Sequence, residues 1–427
     1  MPKKTNSTKV PGMPYQPRSI DQALLDLLPE APAIAIEGAK GVGKTETALQ
    51  QANHQLFLDN PADRIVAEAD PMLEQLPDGT ILIDEWQNAP STWDAVRRAV
   101  DRGAAPGRFI LTGSATPAAG IDSHSGAGGI LSLHMRPMAL FERGGRTPTV
   151  SLAAMFDGDA DISGTSAAAL PDYVEAIGSS GFPGIHRLSP QLRQRHLTSY
   201  IDRVIDRDLP GAGYATRKPD TLRRWMAAYG AASSTTTTYS GILDATTAGD
   251  GSQPAKDTTA QFRDLLTSIW ILDPVPAWNS LRNPLKTVRL SPKHQLVDPA
   301  LALILQRLGP RDLTSQRGNH LLGPLFESLA TLSVRAAATA TGASVSHLRT
   351  AKGLHEVDLI AESFDGRLIG FEVKLSVSVT DTDVRHLLWL REQFPEDVVD
   401  LAVLYSGPAA YRRADGVACI PLDLLGS

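Results

Sequence analysis

The feature that most constrains the fold is a glycine-rich segment between a predicted strand and a predicted helix. The apolar run AIAIEG, which ends at Gly38, predicts a short buried strand, and TALQQANHQ predicts the helix that follows. Residues 38–45, GAKGVGKT, match the pattern G-x-x-x-x-G-K-[ST] without exception. In this pattern glycines let successive backbone N–H groups point at phosphate oxygens, and the helix directs its positive end at the same anions. The segment therefore predicts a phosphate-binding loop rather than an ordinary glycine-rich turn.

The individual positions of this loop indicate which ligand it holds. Lys44 is expected to reach the β- and γ-phosphates, and the Thr45 hydroxyl is expected to ligate Mg²⁺. ATP and Mg²⁺ are therefore the predicted cofactors. The loop residues predicted to contact them are Gly38, Ala39, Lys40, Gly41, Val42, Gly43, Lys44 and Thr45.

Polar residues end two further apolar segments. The run TILI is followed by Asp84 and Glu85, and RFILTGS contains Thr112 and ends at Ser114. Asp84 is expected to hold the Mg²⁺ shell, and Glu85 is expected to polarise the attacking water as a general base. Thr112 and Ser114 are candidates to meet the γ-phosphate or that water. The alternative is that these are solvated strand ends.

Two arginines, Arg64 and Arg136, are candidates for stabilising charge near the γ-phosphate, either within one chain or from a neighbouring subunit. Single arginines are common in any sequence, so an ordinary structural role is the favoured interpretation for both.

A second set of charged residues lies near the end of the sequence. Asp358 occurs in HEVDLIA, and Glu372 and Lys374 occur in GFEVKLS. Alternate side chains of a strand share a face, so Glu372 and Lys374 point the same way. Two carboxylates and a lysine can bind Mg²⁺ and position water for attack on a phosphodiester, with Glu327 on a preceding helix completing the metal shell. An exposed hairpin face is the competing interpretation.

Composition limits the broad class of protein. A chain of 427 residues is too long for one core and predicts two to four domains. The sequence has no apolar run long enough for a membrane helix and no pattern typical of a signal peptide. Its single cysteine, Cys419, cannot form an internal disulfide. A cytoplasmic, non-membrane protein is therefore expected. Residues 187–299 carry 15 lysines and arginines against 10 aspartates, a balance of +5 that is compatible with DNA contact or with an ordinary solvated surface.

The sequence predicts four segments. Residues 1–17 are expected to form a flexible tail, and residues 18–150, where strands alternate with helices, a parallel α/β sheet domain. Residues 151–310 are mainly helical in pattern, although 157–169 is an insertion of small residues with nothing to bury. Residues 311–427 predict a second, smaller α/β unit, with two strands joined by a turn at Asp365–Gly366. A mobile loop is expected at 118–129.

Eight short stretches together resemble a known family. In order they are GAKGVGKTETA, ILIDEWQNAP, RFILTGSATP, RPMALFERGG, GFPGI, LLGPLFESL, HEVDLI and GFEVKLS. The chain resembles prokaryotic ATPases that join an AAA-type P-loop domain to a winged-helix segment and a C-terminal nuclease-like domain. The resemblance implies an α/β multidomain fold, with a P-loop parallel α/β core, a helical, winged-helix middle and a restriction-endonuclease-like end. It also implies that Glu327, Asp358, Glu372 and Lys374 match the PD-(D/E)xK nuclease pattern.

Two functions of different class follow. The first is an Mg²⁺-dependent ATPase coupled to DNA binding or cleavage by the C-terminal site. The second is a nucleotide-controlled switch that carries an inactive nuclease fold, which the acidic balance of residues 311–427 (11 basic against 15 acidic side chains) favours. A P-loop kinase is a weaker third, because it does not explain the hairpin charges. A homo-oligomer, including a ring, and a monomer are equally compatible with the sequence.

Overall fold

The phosphate-loop strand lies inside a parallel sheet. The structure is a computed structural model that describes residues 15–114, 129–145, 147–211, 218–247, 255–279, 291–350 and 353–427. In this part of the chain the first sheet has five parallel strands in the order β2-β3-β4-β1-β5. Its strands are β1 Ala33–Glu37, β2 His54–Phe57, β3 Ile81–Asp84, β4 Phe109–Gly113 and β5 Leu131–His134. Its helices are α1 Ser19–Leu27, α2 Lys44–Leu49, α3 Pro61–Ala69 and α4 Ser91–Asp101.

The topology brings the predicted polar residues to one edge of this sheet. Strand β4 lies between β1 and β3, so the loop after β1, the end of β3 and the end of β4 are neighbours. Parallel strands bury both faces under helices, which explains the nearly continuous apolar runs that predicted them. The predicted parallel α/β core is present.

A group of helices follows, as the periodicity of residues 170–270 predicts. They are α5 Leu152–Asp157, α6 Leu170–Ser179, α7 Pro183–His186, α8 Pro190–Arg203, α9 Leu209–Gly211, α10 Pro219–Ala231, α11 Tyr239–Thr246, α12 Lys256–Ser268 and α13 Pro299–Leu305. One turn of π-helix, Val204–Asp208, separates α8 from α9.

Two predictions about loops have different outcomes. The insertion at 157–169 was expected to have nothing to bury, and none of its residues is fully buried, although Ile162 and Ala168 pack against the core. It is held by backbone hydrogen bonds from Ser166 to Pro408 and from Ala410 to Gly164, of 2.7 and 2.9 Å. The Ser166 hydroxyl also donates to the Asp423 carboxylate, at 2.8 Å to Oδ1 and 2.7 Å to Oδ2. The predicted mobile loop at 118–129 lies almost wholly outside the described residues, as does most of the predicted tail, although Tyr15 bonds Asp21 and Thr47.

A hairpin that the sequence did not predict follows α12. Its two arms, residues 271–278 and 291–297, pair at Leu272 with Leu296 and at Val275 with Lys293. The first arm then continues the C-terminal sheet, because Ala277 pairs with His347 and Trp278 donates its backbone N–H to the carbonyl of His347 at 2.7 Å. The paired arms are too short for a clear periodic signal.

The C-terminal unit is a mixed sheet under one long helix. Among the described residues its order is β11-β12-β10-β9-β8-β7, with β7, β8 and β9 antiparallel to one another and β9, β10 and β12 parallel. The turn between β8 and β9 is the predicted one. The elements are α14 Asn319–Thr341, β7 Ser344–Arg349, β8 Glu356–Glu362, β9 Leu368–Lys374, α15 Asp381–Gln393, β10 Val398–Tyr405, β11 Tyr411–Arg412 and β12 Ala418–Pro421.

Two contacts join distant parts of the chain. The last strand, β13 Leu425–Gly426, pairs in parallel with β6 Val150–Ser151, which follows the first sheet. A buried ion-pair triad has Asp273 of the hairpin at its centre. Asp273 accepts from Arg136, which lies just after β5, at 2.6 Å and from Arg335 of α14 at 2.9 Å. The triad therefore connects the first sheet, the hairpin and the C-terminal unit.

The helices in the described parts of the chain include none that is both long enough and apolar enough to cross a membrane.

The triad predicts a large stability effect at Asp273. An Asp273→Asn substitution removes the one negative charge between two guanidinium groups that are only 13% and 8% exposed, and we expect the free energy of unfolding to fall by about 3–5 kcal/mol. The control is Asp264→Asn, which breaks an ion pair with Arg263 whose side chains are 38% and 66% exposed and should cost no more than about 1 kcal/mol. Urea unfolding followed by tryptophan fluorescence measures both. Equal effects at the two positions would contradict this role of the triad.

Candidate functional site

The phosphate loop curls because three of its glycines adopt geometries that other residues resist. Gly41 and Gly43 have φ of 82° and 105°, in the left-handed region. At Gly38 a Cβ atom would lie 2.1 Å from the carbonyl oxygen of Met135, so only glycine fits beside the end of β5. Lys44 lies in this cradle and donates to the carbonyls of Gly38 and Ala39 at 2.8 and 3.0 Å. Burial lowers the pKa of Lys44 to about 8, which the acids of β3 only partly offset.

Three predicted residues meet beside the loop. The Thr45 hydroxyl donates to Oδ1 of Asp84 at 2.7 Å, and the Thr112 hydroxyl bonds the same oxygen. Burial raises the pKa of Asp84, against these two hydrogen bonds. A hydroxyl and a carboxylate in contact next to the phosphate loop are the donor set that fits a loop-bound Mg²⁺ ion.

Glu85 and Ser114 also come together, with one residue that the sequence analysis missed. Glu85 has φ of 53°, a strained conformation for a residue other than glycine. Its Oε2 accepts from Ser114 at 3.1 Å and from the amide of Gln87, which also donates to Ser114 at 3.2 Å. Gln87 therefore holds the predicted base. The only sequence signal for it was its place two residues after Glu85.

A second residue that the sequence analysis missed, Arg18, supports the backbone of the loop. Its guanidinium donates to the carbonyl of Val42 at 2.9 Å and to that of Arg136 at 2.8 Å, and it pairs with Glu142 at 3.2 Å. Arg18 is buried. It is the first residue of the predicted sheet domain, and nothing in the neighbouring sequence indicated the contact.

Helix α8 and the π-helical turn form a wall beside the loop. The Tyr200 hydroxyl donates to the carbonyl of Lys40 at 3.1 Å, and Lys40 pairs with Asp208 at 3.2 Å. A cavity of about 620 Å³ lies between these elements. It is lined by Lys40, Gly41, Tyr200, Arg203, Arg207 and Asp208. Two arginines therefore face the surface of the loop from the helical segment.

The two arginines considered from sequence are elsewhere. Arg136 is engaged in the buried triad with Asp273, which agrees with the structural role that was favoured for it. Arg64 lies on α3, a helix that packs against the edge strand β2.

The predicted C-terminal residues also come together, but around a lysine that was not predicted. Lys293 of the hairpin donates to Glu327 at 2.8 Å and to Asp358 at 2.7 Å. Asp358 accepts in addition from the backbone N–H of Val373 at 3.0 Å, and Lys374 donates to Glu372 at 2.8 Å. Lys293 lies in SPKHQLVD, where no local pattern marks it, because its partners are 34 and 65 residues away.

The electrostatics follow this arrangement. Burial lowers the pKa of Lys293, but the carboxylates of Asp358 and Glu327 overcome that effect and hold the pKa above its usual value. Burial, together with the charge of Asp358, raises the pKa of Glu327 to about 7 and that of Glu372 to about 8. Burial would raise the pKa of Asp358 too, but Lys293 holds it below its usual range.

The expected metal shell of Glu327, Asp358 and Glu372 does not assemble in this arrangement. Within the described ranges, no three or more carboxylate, histidine or cysteine side chains are grouped so that they could hold a metal ion. The ammonium of Lys293 lies between Glu327 and Asp358 instead, while Glu372 is paired with Lys374. As described, the C-terminal residues do not fit a bound metal.

Comparison with protein families agrees with the first site. Residues 30–143 match an AAA domain, residues 170–312 a domain of unknown function (DUF8612) and residues 322–425 another domain of unknown function (DUF4143). The AAA match and the loop geometry coincide. Residues 30–143 therefore form an AAA-type P-loop ATPase core.

Relatives of similar length exist. The chain is 27% identical over 426 residues to the uncharacterized proteins Mb2031c of Mycobacterium bovis and Rv2008c of Mycobacterium tuberculosis, covering 98% of this chain and 86% of each relative. Among solved structures, the Walker-type ATPase PABY2304 of Pyrococcus abyssi is 13% identical, with a TM-score of 0.37, over 67% of this chain and 94% of that one. The ORC2 protein of Aeropyrum pernix is 11% identical, with a TM-score of 0.26, over 70% and 93%.

The contact at Gly38 predicts a specific loss of nucleotide affinity. In Gly38→Ala the new methyl group would press on the Met135 carbonyl, and overpacking of this kind costs about 1–3 kcal/mol. We expect ATP affinity to fall roughly tenfold or more, measured by fluorescent-nucleotide titration. The control is Gly184→Ala on the neighbouring helix α7, where a Cβ has no atom within 4 Å and binding should be unchanged. Equal ATP affinity in the two variants would contradict the steric requirement for glycine at position 38.

Proposed function

We propose that the chain is an Mg²⁺-dependent ATPase whose nucleotide state is read by its helical middle and C-terminal unit. The observation that carries the proposal is the contact of Thr45, Asp84 and Thr112 beside a complete phosphate loop. A mere nucleotide-binding fold needs the loop alone. A carboxylate held by two hydroxyls and followed by a second carboxylate is the arrangement expected for hydrolysis.

The residues divide the chemistry as follows. Lys44 exchanges its bonds to loop carbonyls for bonds to phosphate oxygens, and Thr45 and Asp84 hold the Mg²⁺ shell. When bound, Mg²⁺ supplies charge neutralisation of the phosphates. Glu85 accepts the proton of the attacking water as general base, and Thr112 and Ser114 orient the groups around it. For Glu85 to act, the hydrogen bond from Gln87 has to be released.

The helical segment is the proposed sensor of nucleotide. Tyr200 and Lys40 already connect α8 to the loop, and Arg203 and Arg207 line the cavity beside it. Anionic phosphates in this region would attract both arginines and shift α8 and the π-helical turn, an element type that is frequent at functional sites. Such a shift would carry nucleotide state into the helices.

DNA is the proposed target of the remaining units. In support, three helices, α10, α11 and α12, precede the paired hairpin, which is the order of elements that a winged helix would have, and residues 187–299 are basic. In the C-terminal unit Asp358 on β8 lies beside the Glu372-x-Lys374 strand, as the PD-(D/E)xK pattern requires. We propose a nuclease-like site there. The alternative is a nucleotide-controlled switch in which this site is inactive.

The ATPase proposal predicts opposite effects at two positions of the first site. Glu85→Gln keeps the loop but loses the base, so it should bind ATP and hydrolyse it roughly 100-fold or more slowly. Lys44→Ala should lose binding. Radiolabelled ATP measures both retention and turnover, and Glu68→Gln on the exposed face of α3 serves as the control. Turnover that is unchanged in Glu85→Gln would mean that another residue is the base.

The nuclease proposal predicts that any cleavage depends on Lys374. Wild type and Lys374→Ala are compared on mixed DNA substrates with Mg²⁺ or Mn²⁺, with and without ATP. Cleavage should be lost in the variant and kept in Arg385→Ala, an exposed cation of the same unit. Dependence on ATP would show that the sites are coupled. No cleavage by wild type under any of these conditions would favour the switch.

A further inference from the structure

The C-terminal carboxylates surround a cation that belongs to the chain itself. The Lys293 ammonium lies 2.8 Å from Glu327, 2.7 Å from Asp358 and 3.9 Å from Glu356, and its side chain is 2% exposed. These acids come from α14 and from β8, while the lysine comes from the hairpin that precedes both. Three separate segments therefore meet at one buried positive charge.

Lys293 has more acidic neighbours than an ordinary buried ion pair provides. Three carboxyl groups lie within 4 Å of its ammonium, and among the described residues only Glu356 has another cation, Arg349, at 3.6 Å. Beyond them, Oε2 of Glu372 is buried and has no hydrogen-bond partner in the described part of the chain. Carboxyl oxygens that converge on one buried cation, with a further unpaired oxygen beside them, resemble the ligand set of a divalent cation.

We propose that Lys293 is a built-in cation plug, which occupies the position of a divalent metal ion between Glu327 and Asp358 and keeps the C-terminal site closed. The proposal deepens the nuclease-like function proposed above, and rests on it for what the opened site would do. With the plug in place the site has no room for metal. Removal of the ammonium would leave the oxygens of Glu327 and Asp358 free to hold such an ion.

The hairpin is attached so that it can report on the first site. The arm that carries Lys293 pairs with Val275, and Asp273 on the other arm is held by Arg136. The residue before Arg136, Met135, donates its N–H to the carbonyl of Glu37 at 2.7 Å, and Glu37 directly precedes the phosphate loop. One short hairpin therefore contacts both the segment behind the loop and the C-terminal cluster.

The plug is tested by Mn²⁺ binding to the full chain, measured without nucleotide by calorimetry and electron paramagnetic resonance. Lys293→Met keeps the length of the side chain and removes its charge. We expect this variant to gain one Mn²⁺ site at Glu327 and Asp358. Its Mn²⁺ affinity should be roughly tenfold or more higher than that of the same residues in wild type. The site should disappear in Lys293→Met/Asp358→Asn. Lys293→Arg keeps a cation and should bind as wild type does. Any Mn²⁺ that binds at the phosphate loop binds equally in wild type and in the three variants, so it does not affect the differences between them.

Each other outcome overturns the plug. Wild type that binds Mn²⁺ in a manner abolished by Asp358→Asn would mean that Lys293 does not exclude metal. A folded Lys293→Met with no new site would make the lysine a structural ion pair only. Should Lys293→Met fail to fold alone, Mn²⁺ must restore its circular dichroism, and failure to do so refutes the exchange. None of these readouts uses ATP hydrolysis or DNA cleavage, so they are independent of the proposed function.

Discussion

The buried carboxylate of Asp273 is the contact on which the arrangement of the molecule depends. It lies between the guanidinium groups of Arg136 and Arg335, one from the end of the first sheet and one from the long helix of the C-terminal unit. Burial would raise its pKa, but the two arginines hold the pKa well below its usual range. The contribution of this carboxylate to stability is therefore present above the pKa of an unfolded aspartate and is lost as pH falls towards the depressed folded value. At neutral pH the charge is fully engaged, and it holds the first arm of the hairpin between the two units.

The parts of the fold that were predictable are those with strong local signals. Strands β1, β3 and β4 are continuous apolar runs in a parallel sheet, and the glycines of the loop determine its turn. The residues of the first site could therefore be predicted from the sequence. The β8–β9 hairpin was equally clear from its two apolar strands and its Asp365–Gly366 turn. The parallel topology then brings Asp84 and Thr112 to one oxygen-rich point, because β3 and β4 are neighbours.

What could not be predicted depends on contacts between distant residues. The arms of the hairpin pair over only a few positions, and Lys293 finds its acids 34 and 65 residues away, a distance that no window of sequence covers. Arg18 supports the loop through the carbonyls of Val42 and Arg136, which are 24 and 118 residues away in the sequence. Residues 157–169 are held by backbone bonds to Pro408 and from Ala410 and by the bond of Ser166 to Asp423, all partners that are distant in the sequence.

Two buried lysines show how the same physical cost can be used in opposite ways. Lys44 is bonded to neutral carbonyls of its own loop, so burial dominates and its pKa falls to about 8. Its ammonium is poorly compensated, and phosphate oxygens would be better partners, which favours exchange with a ligand. Lys293 is bonded to carboxylates, so its pKa rises despite burial, and no weak ligand can take its place. Only a stronger cation, or a movement of the hairpin itself, can separate Lys293 from Glu327 and Asp358. The first site is therefore ready for its ligand, whereas the second is closed until the element that closes it is moved.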